Sequence, residues 1–283
     1  MDHLAIEPLN RYFLQLGPIT IYWYAIFILL GLLVGVSLAI REGKKAGIDS
    51  EFFWDLILFG FPISLVGARL YYVIFNASYY AQYPERIFRI WEGGIAIHGS
   101  LIAAFIFGWF FCKRRNVTPW FIADIAGVSY LIAQAIGRWG NFINQEAYGY
   151  TVPGQTLDAQ REFLQSLFIP DFIINNMFID GAYYHPTFLY ESIWNLIGFL
   201  IAVLILRRLS QLLVGEIGAF YAIWYSMGRY FIEGMRTDSL MLTQQIRVAQ
   251  LISIMTIVVV SILVIGRRVK KVNLKTYQSF YLK

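Results

Sequence analysis

The residues from Gly137 to Gly149 form the densest polar cluster in the chain: Gly137-Arg138-Trp139-Gly140-Asn141-Phe142-Ile143-Asn144-Gln145-Glu146-Ala147-Tyr148-Gly149. Arg138 brings a planar charged fork that matches the geometry of phosphate and carboxylate. Asn141, Asn144 and Glu146 add amide donors and a carboxylate able to orient neighbouring groups. The glycines, Gly149 among them, permit tight turns and close backbone approach to a ligand. A second set follows in Gly228-Arg229-Tyr230-Phe231-Ile232-Glu233-Gly234-Met235-Arg236-Thr237-Asp238. Arg229 and Glu233 are four apart, and Arg236 is three further along, a spacing that puts all three on one helical face. Such a ladder is either a surface ion-pair row or two guanidinium groups available to a phosphate.

Single residues add to these sets. His98, in Gly93-Gly94-Ile95-Ala96-Ile97-His98-Gly99-Ser100, is a candidate base because neutral imidazole accepts a proton near neutral pH. The alternative is a histidine that is merely hydrogen-bonded within an apolar run. His185 precedes Pro186, which suits a helix start, so it reads as structural. Glu191 lies one turn beyond, an acid inside an apolar stretch. Arg69 is a cation within another apolar run, for which pairing with Asp55 or Asp124 is the structural reading. Tyr24 in Tyr22-Trp23-Tyr24 fits an aromatic belt at a membrane surface. Cys112 is the only cysteine, so no intramolecular disulfide forms, and three scattered histidines give no metal-ligand spacing. Gly93-Gly94 is too little for a nucleotide loop.

The elements that must position these residues are helices in a membrane. Apolar residues make up 58% of the 283, and charged residues only 14%, against about 25% in a soluble domain. About seven runs are long enough to cross a bilayer: 19–40, 52–75, 95–112, 119–136, 188–206, 214–232 and 248–265. None alternates as barrel strands do, so they are expected to be helices. The chain therefore reads as one all-α polytopic membrane domain over 1–283. The formal charge of +5 resides in short loops and signals topology, not nucleic-acid binding. Alternate loops and the carboxyl tail hold fourteen Lys and Arg, including Lys44, Lys45, Lys113, Lys270, Lys271, Lys275 and Lys283; the opposite segments hold seven arginines. The positive-inside bias then places the amino terminus outside and the carboxyl terminus in the cytoplasm, which requires an odd number of spans. The first run, preceded by Asp2 and Glu7, lacks the basic start of a cleaved signal peptide. Gly31 and Gly35 have the small-xxx-small spacing of packed helices.

Two outward arm segments are long. Residues 76–94 carry Tyr79, Tyr80, Tyr83, Phe88 and Trp91, a set suited to the headgroup zone. In 137–187, Leu157, Phe163, Leu164, Leu167 and Phe168 fall mostly on one helical face, opposite Asp158, Arg161, Glu162 and Gln165. This predicts a helix lying in the membrane interface, with a small packed extracellular subdomain as the alternative. In this setting the cluster at Gly137–Gly149 reads as a site for a polar headgroup.

Taken together these residues resemble the bacterial prolipoprotein diacylglyceryl transferase family. The resemblance rests on Gly-Arg-x-Gly-Asn-Phe-x-Asn-x-Glu-x-x-Gly at Gly137–Gly149, with His98-Gly99, the segment from His185-Pro186 to Tyr190-Glu191, and Gly228-Arg229 through Glu233, Arg236 and Asp238. It covers essentially the whole chain. Ser100 stands where the family usually reads His-Gly-Gly.

The resemblance implies a transferase of the bacterial plasma membrane, with its site toward the outer face and no metal or organic cofactor. It implies that the diacylglyceryl group of phosphatidylglycerol moves to the thiol of a lipobox cysteine in a prolipoprotein, giving a thioether and glycerol 1-phosphate. The partners are then membrane lipids and prolipoproteins. The nucleophile comes from the protein substrate, which agrees with a chain that has no reactive cysteine of its own. Arg138 and Arg229 are expected to stabilise the departing phosphate, with His98 as the base or thiol-orienting group. Tyr24, Asn141, Asn144, Glu146, Glu191, Glu233 and Arg236 would position the headgroup or hold the arginines, and Gly149 would allow close approach. The rival expectation is a transporter or flippase for an anionic lipid or solute. That protein should show polar residues through the full depth of its spans.

Overall fold

The first apolar run begins as a strand. In the computed structural model of the chain, which describes residues 9–243, 245–271 and 275–281, Tyr12–Leu16 (β1) pairs antiparallel with Ile19–Tyr22 (β2). Gly17 turns the chain between them at φ 57°, which glycine adopts without a Cβ clash. Helix starts only at Trp23, so the span expected at 19–40 is corrected to Trp23–Lys45 (α1). Ile19, Thr20 and Ile21 are β-branched and accept extended chain readily; the strand partner that selects it lies outside the apolar run. Asp2, Glu7 and Lys283 lie outside the described residues.

The other long helices fall close to the expected runs. They are Ser50–Phe75 (α2), Ile97–Arg114 (α4) and Pro119–Asn144 (α5), then Thr187–Leu204 (α8), Glu216–Glu233 (α9) and Val248–Val269 (α10), with the short Ala77–Gln82 (α3) between α2 and α4. Leu157–Ser166 (α6), Asp171–Asn176 (α7) and a two-residue hairpin, Phe178–Ile179 (β3) with Ala182–Tyr183 (β4), lie between α5 and α8. Five helices are long and apolar enough to cross a membrane: α1, α2, α5, α8 with its extension to Arg208, and α10. The two remaining long helices are only 18 residues each, so their apolar stretch includes their charges: Lys113 and Arg114 on α4, and Glu216, Arg229 and Glu233 on α9.

The chain divides into two compact units, Met1–Leu38 with Asp124–Ser279, and Ala39–Ala123 with Phe280–Lys283. In the second unit, α2 and α4 pack along their length. They meet closest at Gly67 and Gly99, where a Cβ on either would strike the other helix. Arg69 is buried on α2, and neither expected acid is its partner. Its Nε donates to Ile87 O at 2.8 Å, Nη1 to Gly93 O and Gly94 O at 2.7 Å each, and Nη2 to Arg86 O and Arg89 O. Asp55 pairs with Arg115 instead, and Asp124 accepts backbone N–H groups. One guanidinium thus gathers five backbone carbonyls between Arg86 and Gly94, and the arm 76–94 is folded over it. Tyr80 is buried against Arg69, whereas Phe88 and Trp91 remain fully outward.

In the first unit, α5 is the axis. Gly31 and Gly35 of α1 lie against the Ala133 and Ser129 carbonyls, 2.7 and 3.1 Å from where their Cβ atoms would sit, as the small-residue spacing predicts. Ser192 of α8 donates to Ala135 O of α5 at 2.8 Å. Asp124, fully buried, accepts from Gly215 N and Gly218 N at 2.7 Å each, so the acid on α5 satisfies the free N–H groups that start α9.

The arm between α5 and α8 corrects two expectations. The helix at 157–166 forms, capped by Thr156 accepting from Ala159 N, but its stripe is divided: Leu164, with Leu157 and Phe163 beside it, packs against protein, while Leu167 and Phe168 stay exposed. Leu164 is fully buried with Val152, Ile169, Ile173, Ile174, Met177 and Tyr183 in a core that also takes in Phe142 and Phe188. The packed subdomain is the fold adopted. Gly137–Asn144 is likewise not a turn: α5 runs through it to Asn144.

Candidate functional site

Because the polar motif is helical, its residues separate by face. Trp139, Phe142 and Ile143 point into the arm core, and Phe142 stacks on Phe188 at 4.6 Å. Arg138 and Asn141, three apart, lie on the other side. The Phe142–Phe188 stack and the Ser192–Ala135 bond fix the first turns of α8 against α5, and this brings Glu191 to Arg138. Gly140 is buried because Tyr24 occupies the space a side chain would need: a Cβ there would lie 2.7 Å from the Tyr24 ring. Tyr24 is thus packed against the motif helix.

Glu191 is the junction of the site. It is buried, at 4% exposure, and binds two cations at once. Arg138 Nε meets its Oε2, and Arg229 Nη1 donates to its Oε1 at 3.1 Å. Arg229 Nη2 also pairs with Glu233 at 2.5 Å, one turn along α9. Two guanidinium groups from different helices are therefore held beside one another by two carboxylates, and the four charges sum to zero. This is less positive than two bare arginines would be. What the arrangement offers an anion is unused hydrogen-bonding capacity: among the described residues the Arg138 Nη atoms and Arg229 Nε have no protein partner. Each arginine is about one-fifth exposed, 20% for Arg138 and 19% for Arg229.

Arg236 departs from the expected ladder. α9 ends at Glu233, so Arg236 is off the helix and forms a two-toothed pair with Asp238 at 2.9 and 2.7 Å. Burial works against this cation, but the Asp238 bonds and the nearby Glu191 and Glu233 outweigh it and raise its pKa. The bond to Arg236, opposed by burial, lowers the pKa of Asp238. The same segment pairs with the motif: Gly149 bridges to Arg236, and Tyr150 N donates to Met235 O at 2.8 Å. The close approach that Gly149 permits is to the chain itself, since a Cβ would sit 2.8 Å from His185 Cβ and 3.2 Å from Met235 O. Asn141 Nδ2 donates to Glu146 Oε1 at 2.8 Å, and Asn144 keeps a buried Oδ1 without a partner among the described residues. The loop after α5 turns at Gln145 and Ala147, with φ of 50° and 59°. These left-handed conformations are unusual for residues bearing a Cβ.

His185 has a structural place: its Nδ1 lies 3.1 Å from Tyr190 Oη, and burial lowers its pKa. His98 belongs to the other unit. It is exposed near the start of α4, its ring 6.1 Å from that of Tyr71, with no hydrogen bond among the described residues. Ser100 lies within α4, whose backbone continues through it. Among the described residues no cluster of His, Cys, Asp and Glu could hold a metal.

Sequence reading missed the indole pair that fixes α8 against α9. Trp194 and Trp224 stack at 4.3 Å, and each indole N–H donates to the other residue's carbonyl at 2.9 Å. Gly228 makes room for Trp194 and Gly198 for Trp224. The recurring signal was Trp-x-x-x-Gly on both helices. Asp124, a candidate partner for Arg69 by sequence, carries no local signature of its role at the start of α9.

A profile of the prolipoprotein diacylglyceryl transferase family matches residues 11–266. The chain belongs to the prolipoprotein diacylglyceryl transferase family. Relatives named phosphatidylglycerol–prolipoprotein diacylglyceryl transferase include one from Bacillus licheniformis, 53% identical over 97% of this chain and 98% of its own length. Another, from Bacillus velezensis, is 54% identical over 96% and 97%, and one from Geobacillus kaustophilus is 52% identical over 94% and 95%. The region matched by the diacylglyceryl transferase family contains every candidate site residue, on both units.

Proposed function

We propose that this protein transfers the diacylglyceryl group of phosphatidylglycerol to the thiol of a lipobox cysteine in a prolipoprotein. It does so as one seven-span domain of the bacterial plasma membrane, amino terminus outside, with the site toward the outer face. The observation that carries this reading is the joining of Arg138 and Arg229 through Glu191. The relatives' names favour transfer, and nothing among them favours a transporter.

In the reaction the cysteine sulfur, as thiolate, attacks the glycerol carbon of the diacylglyceryl group that bears the phosphate. The carbon–sulfur bond forms as the carbon–oxygen bond breaks, and the electron pair of that bond stays on the phosphate oxygen. Glycerol 1-phosphate leaves, taking up the proton given by the thiol. Charge therefore grows on the phosphate in the transition state. Donors already fixed in position stabilise it without reorganising, and they act strongly where water is excluded. Arg138 Nη and Arg229 Nε supply such donors, while Glu191 and Glu233 hold the guanidinium planes. Asn141 and Asn144 present amides to the headgroup, with Glu146 orienting Asn141 and Tyr24 packed beside them. Arg236, held by Asp238, positions the segment that pairs with Gly149 and Tyr150 beside the motif. His98 is assigned as the base for the thiol proton or as the group that orients the thiol.

The test is mass spectrometry of a lipobox peptide incubated with the purified protein and phosphatidylglycerol. A thioether-linked diacylglyceryl adduct with release of glycerol phosphate is expected. Movement of lipid across liposomes without a covalent product would favour transport instead.

A further inference from the structure

One turn along α8 from Glu191 lies Asn195, 2% exposed. Its Oδ1 is buried and has no hydrogen-bond partner among the described residues. Buried amide oxygens are paired in the great majority of cases, and one left open at a site calls for an explanation. Asn195 lines a small pocket between α8 and α9 together with Glu191, Trp194, Tyr225, Gly228, Arg229 and Ile232. The open volume is about 10 Å³, room for one water-sized group. The Trp194–Trp224 pair holds the two helices on either side of it.

We propose that this pocket receives a hydroxyl of the lipid's polyol headgroup, with Asn195 Oδ1 accepting its hydrogen bond, and that Asn195 thereby sets headgroup specificity. The inference rests on the transfer reaction proposed above. Arg229, the proposed partner of the phosphate, is one of the residues lining the pocket. A three-carbon polyol attached to that phosphate spans roughly one helical turn, about 5 Å, which is the step from Glu191 to Asn195. A headgroup of the same length without hydroxyls can fill the space but leaves the acceptor unpaired. A site built to pair a hydroxyl discriminates against the analogue that lacks one.

The experiment compares phosphatidylglycerol with phosphatidylpropanol of the same acyl chains as donors to a lipobox peptide. It uses the full-length protein and its Asn195→Leu and Asn195→Ala variants. Wild type is expected to prefer phosphatidylglycerol by about three- to tenfold in kcat/KM, the value of one neutral hydrogen bond. Either variant that folds should bring the ratio near one, while its rate with phosphatidylpropanol stays within about twofold of wild type. A wild-type ratio near one, an unchanged ratio in the variants, or an equal loss with both lipids would overturn the assignment; the last would make Asn195 a packing residue or the host of a water. Failure of wild type to modify the peptide with either lipid would instead remove the transfer reaction itself.

Discussion

At the scale of the residue, the site depends on Glu191 more than on either arginine alone. A buried acid shared by two guanidinium groups fixes both, whereas each arginine has one further donor edge to give away. Glu191→Gln keeps the shape and removes the charge. The loss of charge-assisted bonds, about 1.5–3 kcal/mol, predicts a fall in kcat of roughly ten- to hundredfold, read with the peptide assay. Unchanged turnover would mean that the arginines are held by other contacts. Arg138→Ala and Arg229→Ala each remove a donor to the departing phosphate, so rates should fall about 10²- to 10³-fold, or about 2.7–4 kcal/mol. Near-normal turnover in both would end the proposed mechanism, and His98→Asn at full rate in the same assay would remove the base. His185 gives a pH signature. Its folded pKa lies below the ordinary 6.5 because burial disfavours the charged form, so the unfolded chain binds the proton first as pH falls. Stability is therefore expected to decline from 6.5 down to the folded value and to level off below it. His185→Asn should flatten that part of a melting-temperature profile.

At the scale of the element, the long helices were readable because lipid demands uninterrupted apolar runs. The places where reading failed share a cause: the pattern was right and the neighbour was unseen. The amphipathic stripe at Leu157–Phe168 is the same whether lipid or protein covers it. Only Ile169–Ile174, returning as α7, decides for protein. The motif at Gly137–Asn144 looked like a turn because its two glycines are usually read so, yet Gly140 is there to admit Tyr24. Ile19–Tyr22 looked like membrane helix because its strand partner lay upstream. Of the site, Arg138, Arg229, Glu191 and Glu233 were foreseeable from charge in apolar surroundings, and their union at Glu191 fits the alternative that Glu191 holds the arginines. Asn195 was not foreseeable, since a single amide in a helix carries no signal until its surroundings close. The packed arm makes a definite prediction: Leu164→Ala, at a site with no exposure, should cost about 2–5 kcal/mol. Hydrogen exchange should rise across 150–185 first. Full protection retained there would return α6 to the membrane surface.

At the scale of the whole molecule, the distribution of basic residues predicts an orientation that can be tested with a single-cysteine set, since Cys112 is the only native thiol. With Cys112→Ser as the background, Phe168→Cys, at a position 94% exposed, should react in intact cells with a membrane-impermeant maleimide. Lys271→Cys should react only after the cells are opened. The opposite result would invert the proposed topology. The match to relatives over almost the full length means that both units, the arginine-bearing one and the one holding His98, belong to the same family plan.

The paired indoles have a mechanical consequence. Each ring fills a gap left by a glycine on the facing helix, and each N–H is tied to the facing backbone, so sliding by a residue would drive both rings into side chains. α8 and α9 therefore travel as one rod. Whatever parts to admit a two-tailed lipid and a protein chain must be sought along other seams, and Arg229 would keep its distance from Glu191 throughout a catalytic cycle.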